Sequence, residues 1–280
     1  MTSTADGAVG FLAALRSPDA GPRSGAAFPA WVWPLAAALH DELPPGDRDD
    51  WALRLHALLL EGCGEAQEKC AESREGCQEG CREGREHGVA GLSVVHDWHR
   101  RTVLPLLAGT APAAQRVPFA PLVRLHTEAA AGRPAGPDAW RAALHPVLLH
   151  VHAAAYDRRT AYAEGHAGAR DYALSLGRSP AEADAYGHEY AELSCTANAR
   201  AFAEAHALAL SDALAHAYAG DGCGAYVDTF PGSYVRAVVR ACARAGPRAA
   251  AGDPSPRLAE GLLTALAATR PARRVRLPQG

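Results

Sequence analysis

SPAEADAYGHEYAELSCTANARAFAEAHALALSDALAHAYAGDG, residues 179–222, is the stretch whose reading decides the fold. Ser179-Pro180-Ala181-Glu182 has the form of a capping box with proline at the first helical position. The run that follows is dominated by alanine, the best helix former, and no further proline interrupts it. Gly220-Asp221-Gly222 then reads as a helix end. The spacing predicts one helix of about forty residues, which at 1.5 Å per residue is about 60 Å long. Just upstream, Pro137-Asp138 opens a second helical pattern that runs to Leu176-Gly177, with a bend expected at Pro146 because proline removes a helix hydrogen bond. Two long helices joined by so short a turn are antiparallel neighbours.

Outward from this hairpin the chain stays helical. A short helix is expected over Trp31–Leu43, a long pattern from Trp51 past position 100, and shorter helices over Pro118–Ala131, Ser233–Ala245 and Pro256–Thr269. No segment has the alternation of a strand. Residues 1–27, rich in Gly, Ala, Ser and Pro, read as a flexible segment with one amphipathic turn at Phe11–Leu15, and 270–280 as a disordered basic tail. The expected architecture is therefore a single all-α domain over 28–269, an elongated bundle of long antiparallel helices packed through Ala/Gly/Cys ridges.

Three ridges of small residues support that packing. Gly76, Gly80, Gly84 and Gly88 recur every four residues, as do Ala161, Gly165, Ala169 and Ala173, and then Ala197, Ala201, Ala205, Ala209, Ala213 and Ala217. Glycine costs about 1 kcal/mol relative to alanine inside a helix, so a repeated run calls for close helix–helix approach in return. Cys63, Cys70, Cys77 and Cys81 fall on one stripe with Gly84 and Gly88 and read as small buried hydrophobes. The run 76–88 resembles the Gly-xxx-Gly repeat of flagellar type III export stator proteins over those residues alone, and it assigns no family. Tyr162–Ala167 and Phe202–Ala207 are near copies of each other.

Composition closes off several function classes. A net charge of −3 over 280 residues gives no footing for nucleic-acid binding, and the apolar runs are too short to span a bilayer. Lys69 is the sole lysine, Ile is absent and basic charge is nearly all Arg, a bias of high-GC coding sequence. An odd number of cysteines, seven, together with an N-terminus lacking a basic leader, fits reduced thiols in the cytoplasm. The chain carries no Gly-rich phosphate loop, no Gly-x-Ser-x-Gly, no His-Glu-x-x-His and no Cys-x-x-Cys. His96-Asp97-Trp98-His99 could hold a metal only with ligands from other helices.

The polar residues set beside the ridges carry the functional reading. On 180–219, Glu182, Glu189, Thr196, Arg200, Glu204 and Ser211 share the solvent arc, while Asp184, His188 and His206 fall opposite it. Asp184 and His188 are one turn apart, which lets a carboxylate orient an imidazole. Asn198 lies on the flank of the same side. On 138–176 a basic stripe runs Arg141, His145, His152, Arg159, His166 and Arg170, and Arg158 lands among Trp140, Val147, Val151 and Gly165 in the apolar centre. A buried Arg needs a carboxylate or an anionic ligand. These placements predict a cofactor-independent enzyme or ligand-binding protein for an anionic small molecule, of elimination, cyclisation or isomerisation type, in a specialised-metabolism setting. His188 and His206 would act as acid and base, Asp184 would orient His188, and Arg158, Arg159, His166 and Asn198 would bind substrate. No metal and no cofactor is called for. Two alternatives stand beside this reading: a helical assembly protein acting as a homodimer or with another helical chain, and a bundle binding metal through Cys and His.

Overall fold

The computed structural model describes residues 4–16, 28–72, 91–111, 117–245 and 252–269. The Gly76–Gly88 run, Cys77 and Cys81, the side chains of Cys63 and Cys70, and the basic tail lie outside the described residues. Among the described residues the chain is all-α. In order it forms α1 (Thr4–Arg16), α2 (Val32–Glu42), α3 (Arg48–Glu72), α4 (Leu92–Trp98), a π-helical turn (His99–Val103), α5 (Leu104–Ala108), α6 (Phe119–Ala130), α7 (Pro137–Ala155), α8 (Arg158–Ser175), α9 (Pro180–Ala219), α10 (Cys223–Val227), α11 (Pro231–Arg244) and α12 (Pro254–Ala268). None of these helices is long and apolar enough to cross a membrane.

The forty-residue helix α9 is present as read, opened by the capping box. The Glu182 amide donates to Ser179 Oγ at 3.3 Å and the Ser179 amide donates to Glu182 Oε2 at 2.9 Å, so two amides of the open helix end are satisfied. Its partner is not the continuous helix expected over 138–176. Pro146 stays inside α7. The chain breaks instead at Tyr156, which is extended, and Asp157, whose carboxylate caps α8 by accepting from the Thr160 amide and hydroxyl at 3.3 and 3.0 Å. The two pieces dock successively along α9 and run antiparallel to it. The C-terminal half of α9 meets α7, with Trp140 against Tyr218 and Arg141 on Asp212. Its N-terminal half meets α8, with Gly165 against Ala191 and Arg158 on Glu192. Gly177 closes the α8–α9 turn at φ +80°, a left-handed conformation that glycine adopts without penalty.

The main core gathers Trp31, Leu35 and Leu39 of α2, Trp51 and Leu55 of α3, α4 almost entirely, Trp140 and Val147 of α7, Tyr218 of α9, and Leu258 and Leu262 of α12. Two indole N–H groups pin α12 in place: Trp51 donates to the Ala259 carbonyl at 3.0 Å and Trp98 to that of Leu258 at 2.9 Å. Helix α1 joins this core through Phe11 and Leu15, so the segment expected to be flexible contains a docked helix. By contrast, the buried residues Ala169 and Ala173 of α8, and Ala183, Ala191, Cys195 and Ala203 of α9, lie outside it. Helix α8 and the first half of α9 thus form an arm held together by its own seam of small side chains.

Candidate functional site

The seam of the arm places three metal-ligating side chains together. On α9 the buried row steps by four through Ala183, Gly187, Ala191 and Cys195, and Asp184 and His188 sit immediately beside it, one turn apart. On α8, His166 faces them. Gly187 is what lets the two backbones meet there: a Cβ at that position would fall 2.9 Å from the His166 carbonyl oxygen and 3.0 Å from its Cδ2. His166 Nε2 lies 3.2 Å from Asp184 Oδ1, and His188 Nε2 lies 3.5 Å from Asp184 Oδ2. One ligand atom from each of the three residues falls within 4.8 Å of the others. His166 Nε2 is shielded from solvent and has no hydrogen-bond partner, because its approach to Asp184 lacks hydrogen-bond geometry. The Tyr162 hydroxyl hydrogen-bonds His188 Nδ1 at 2.8 Å, which orients that ring with Nε2 towards Asp184. Arg170, one turn beyond His166, brings Nε to 4.0 Å from Asp184 Oδ1.

Of the residues read from sequence, then, the structure assembles His166, Asp184 and His188 and disperses the rest. Arg158, expected in the apolar centre, is a surface residue paired with Glu192 at 2.5 Å and donating to Thr196 Oγ1 at 3.3 Å. The break at Tyr156–Asp157 resets the helical phase, so an angular placement carried through from α7 does not apply to α8. Arg159 is exposed, and Asn198 is exposed and donates to Ser194 Oγ at 3.3 Å. His206 lies eighteen residues beyond His188 on the same helix, about 27 Å away at 1.5 Å per residue. It is exposed, packs on His152 with ring centroids 4.9 Å apart, and donates from Nδ1 to the Phe202 carbonyl at 2.9 Å. Ser211, expected on the solvent arc, is buried.

A second polar cluster, unread in the sequence, sits in the main core. His96 and His99 come from α4 and the π turn and His126 from α6; they stack among Trp140, Tyr218 and Tyr234. His96 and His126 face each other through Nδ1 at 2.9 Å, so one ring donates and the other accepts, while His99 Nδ1 donates to the Val95 carbonyl at 2.8 Å. Burial strips these rings of water and disfavours the charged form. It holds His96 at about 3 and His99 at about 4; burial, then the neighbouring His99 and His96, puts His126 well below the ordinary value. Beside them, buried Asp97 is paired with Arg100 and Arg101. Only the His-Asp-Trp-His run hinted at this cluster, and its other members are distant in sequence.

An open groove between α3 and α12 is lined by Arg54, Leu58, Glu260 and Leu263, with Arg54 held by Glu260 at 2.7 Å, and it contains none of these histidines. No family model, no curated protein and no solved structure matches the chain.

Proposed function

We propose that this chain binds one divalent transition-metal ion on the α8–α9 arm through His166, Asp184 and His188. The observation that carries the reading is the convergence of two imidazole nitrogens and a carboxylate, from two helices, within 4.8 Å of one another. Two imidazoles and a carboxylate suit zinc and its neighbours in the first transition row. Around a tetrahedral ion with bonds of about 2.0–2.1 Å, ligand atoms lie about 3.3 Å apart. The separations of 3.2 and 3.5 Å across Asp184 are close to that spacing. With zinc on His188 Nε2, Nδ1 keeps its proton and donates to the Tyr162 oxygen, so the tyrosine fixes the tautomer the ion requires.

The test is titration of chelator-treated protein with Co2+, followed by its visible absorption. One ion per chain is expected, without the near-ultraviolet charge transfer that thiolate ligation gives. Asp184→Ala should weaken binding at least about 100-fold, since removing a ligand exceeds the 10–100-fold typical of an outer-shell change. Unchanged affinity in Asp184→Ala, or a thiolate signature, would defeat the proposal.

The Asp184–His188 pair also supports a second reading, the general acid–base chemistry expected from the sequence, with Asp184 orienting His188. Turnover that persists after chelation and is lost in His188→Ala would favour it over the metal reading.

A further inference from the structure

We infer that the metal held by the arm keeps one exchangeable coordination position, and that this position takes a phosphoryl oxyanion clamped by Arg170; the inference rests on the metal reading above. The ligand set supplies the first half. Among the described residues three protein groups converge here, and a tetrahedral ion with three protein ligands completes its shell with an exogenous one. The site is open enough to admit it, since about half of the Asp184 and His188 side-chain surfaces is exposed.

The second half comes from Arg170. Tyr162, His166 and Arg170 follow each other at four-residue steps on α8 and so present one row towards Asp184 and His188. Tyr162 is used in holding His188. The Arg170 guanidinium makes only loose ion pairs, at 3.9 Å to Asp171 and 4.0 Å to Asp184, and neither reaches hydrogen-bond distance. Its planar fork therefore stands beside the ion with donors to spare. A divalent ion, the Asp184 carboxylate and Arg170 leave two positive charges at the site, or one with Asp171 counted, with the histidines neutral as ligands. That surplus selects an anion. A phosphoryl group offers one oxygen to the ion and two more to the guanidinium, whereas a carboxylate has only two in all.

The experiment uses the full chain loaded with Co2+ and follows the visible bands as inorganic phosphate, glycerol phosphate or acetate is added. Saturable change with the two phosphoryl probes is expected, at concentrations well below those needed for acetate. Arg170→Met should raise the phosphate concentration for half-saturation about tenfold, the loss of one charge-assisted contact, while leaving Co2+ affinity undiminished. A response to glycerol phosphate but not to inorganic phosphate would place the source in phosphorylated small molecules and still support the site. Bands that ignore all three anions, or an Arg170→Met response identical to the parent, would overturn the inference and leave the metal site standing. Absence of Co2+ binding in the parent would remove both.

Discussion

At the scale of single residues, Gly187 and Tyr162 are the positions on which the arm's site depends without being ligands. A methyl group at 187 meets a backbone carbonyl at 2.9 Å, which cannot swing aside as a side-chain tip would. Gly187→Ala gains about 1 kcal/mol of helix propensity, but forced overpacking costs about 1–3 kcal/mol and displaces α8. The expected outcome is a lower melting temperature for the chelated protein together with weaker Co2+ binding; a variant that melts higher and binds as before would mean that the helices do not approach as described. Tyr162→Phe should leave the melting temperature within error and weaken Co2+ binding about tenfold, because the hydroxyl orients His188 without being a ligand. The three ligands themselves were legible in the sequence as residue types at helical spacing. Their grouping was only half legible: Asp184 and His188 share one helix, but His166 joins them through the pairing of two. Arg158 and His206 were misplaced for different reasons, the first by a phase reset and the second by sheer distance along a straight helix.

At the scale of elements, the long helix α9 followed directly from its capping box and alanine content, whereas its packing register did not. The row expected to pack, Ala197 through Ala213, is exposed, and the buried row is Ala183, Gly187, Ala191, Cys195, Ala203, Ala207, Ser211 and Ala215, displaced by two residues. Both rows are small-residue rows at the same period. Glycine, cysteine and serine interrupt the second, so alanine counting favours the first although all of these side chains permit close approach. The two substitutions that separate the registers are Ala191→Leu and Ala205→Leu. Ala191→Leu should lower stability by about 1–3 kcal/mol through overpacking of the seam, and Ala205→Leu should stay within about 0.5 kcal/mol of the parent. Urea denaturation measures both, and the reverse order would restore the alanine register. The break between α7 and α8 was written in the sequence as Asp157 and Thr160, three residues apart, but Asp157 reads equally well as a member of an acidic stripe. Only the docking of two shorter helices along α9 selects the cap.

At the scale of the whole molecule, the buried histidines tie stability to pH. Burial lowers His96 to about 3 and His99 to about 4, and lowers His126 further, from an ordinary value of 6.5. In the folded state these rings stay neutral, so the unfolded chain is the one that takes up protons as the pH drops. Their contribution is complete above 6.5 and is lost progressively as pH falls from there towards about 4. Each ring accounts for about 1.4 kcal/mol per pH unit in that window, so the three together amount to about 4 kcal/mol per unit. His152, lowered to about 4 by burial and then by His206, adds to the same trend. The urea midpoint should therefore fall steeply between pH 7 and pH 5.5; superimposable curves at the two values would show that these rings are not held neutral.

The amino-acid sequence by itself determined that the chain is helical, where its longest helix starts and stops, and that the helices approach closely. Each of these follows from interactions within a few residues: caps, propensities and the absence of large side chains. The tertiary structure alone decided which small-residue row is buried, that α7 and α8 are separate helices, and that six aromatic side chains from six elements surround a buried histidine pair in the core. It also decided that His166 meets Asp184 and His188 while Arg158 and His206 do not. Those outcomes turn on the phase and axial offset of one helix against another, quantities set by the summed packing of the whole interface and carried by no local pattern.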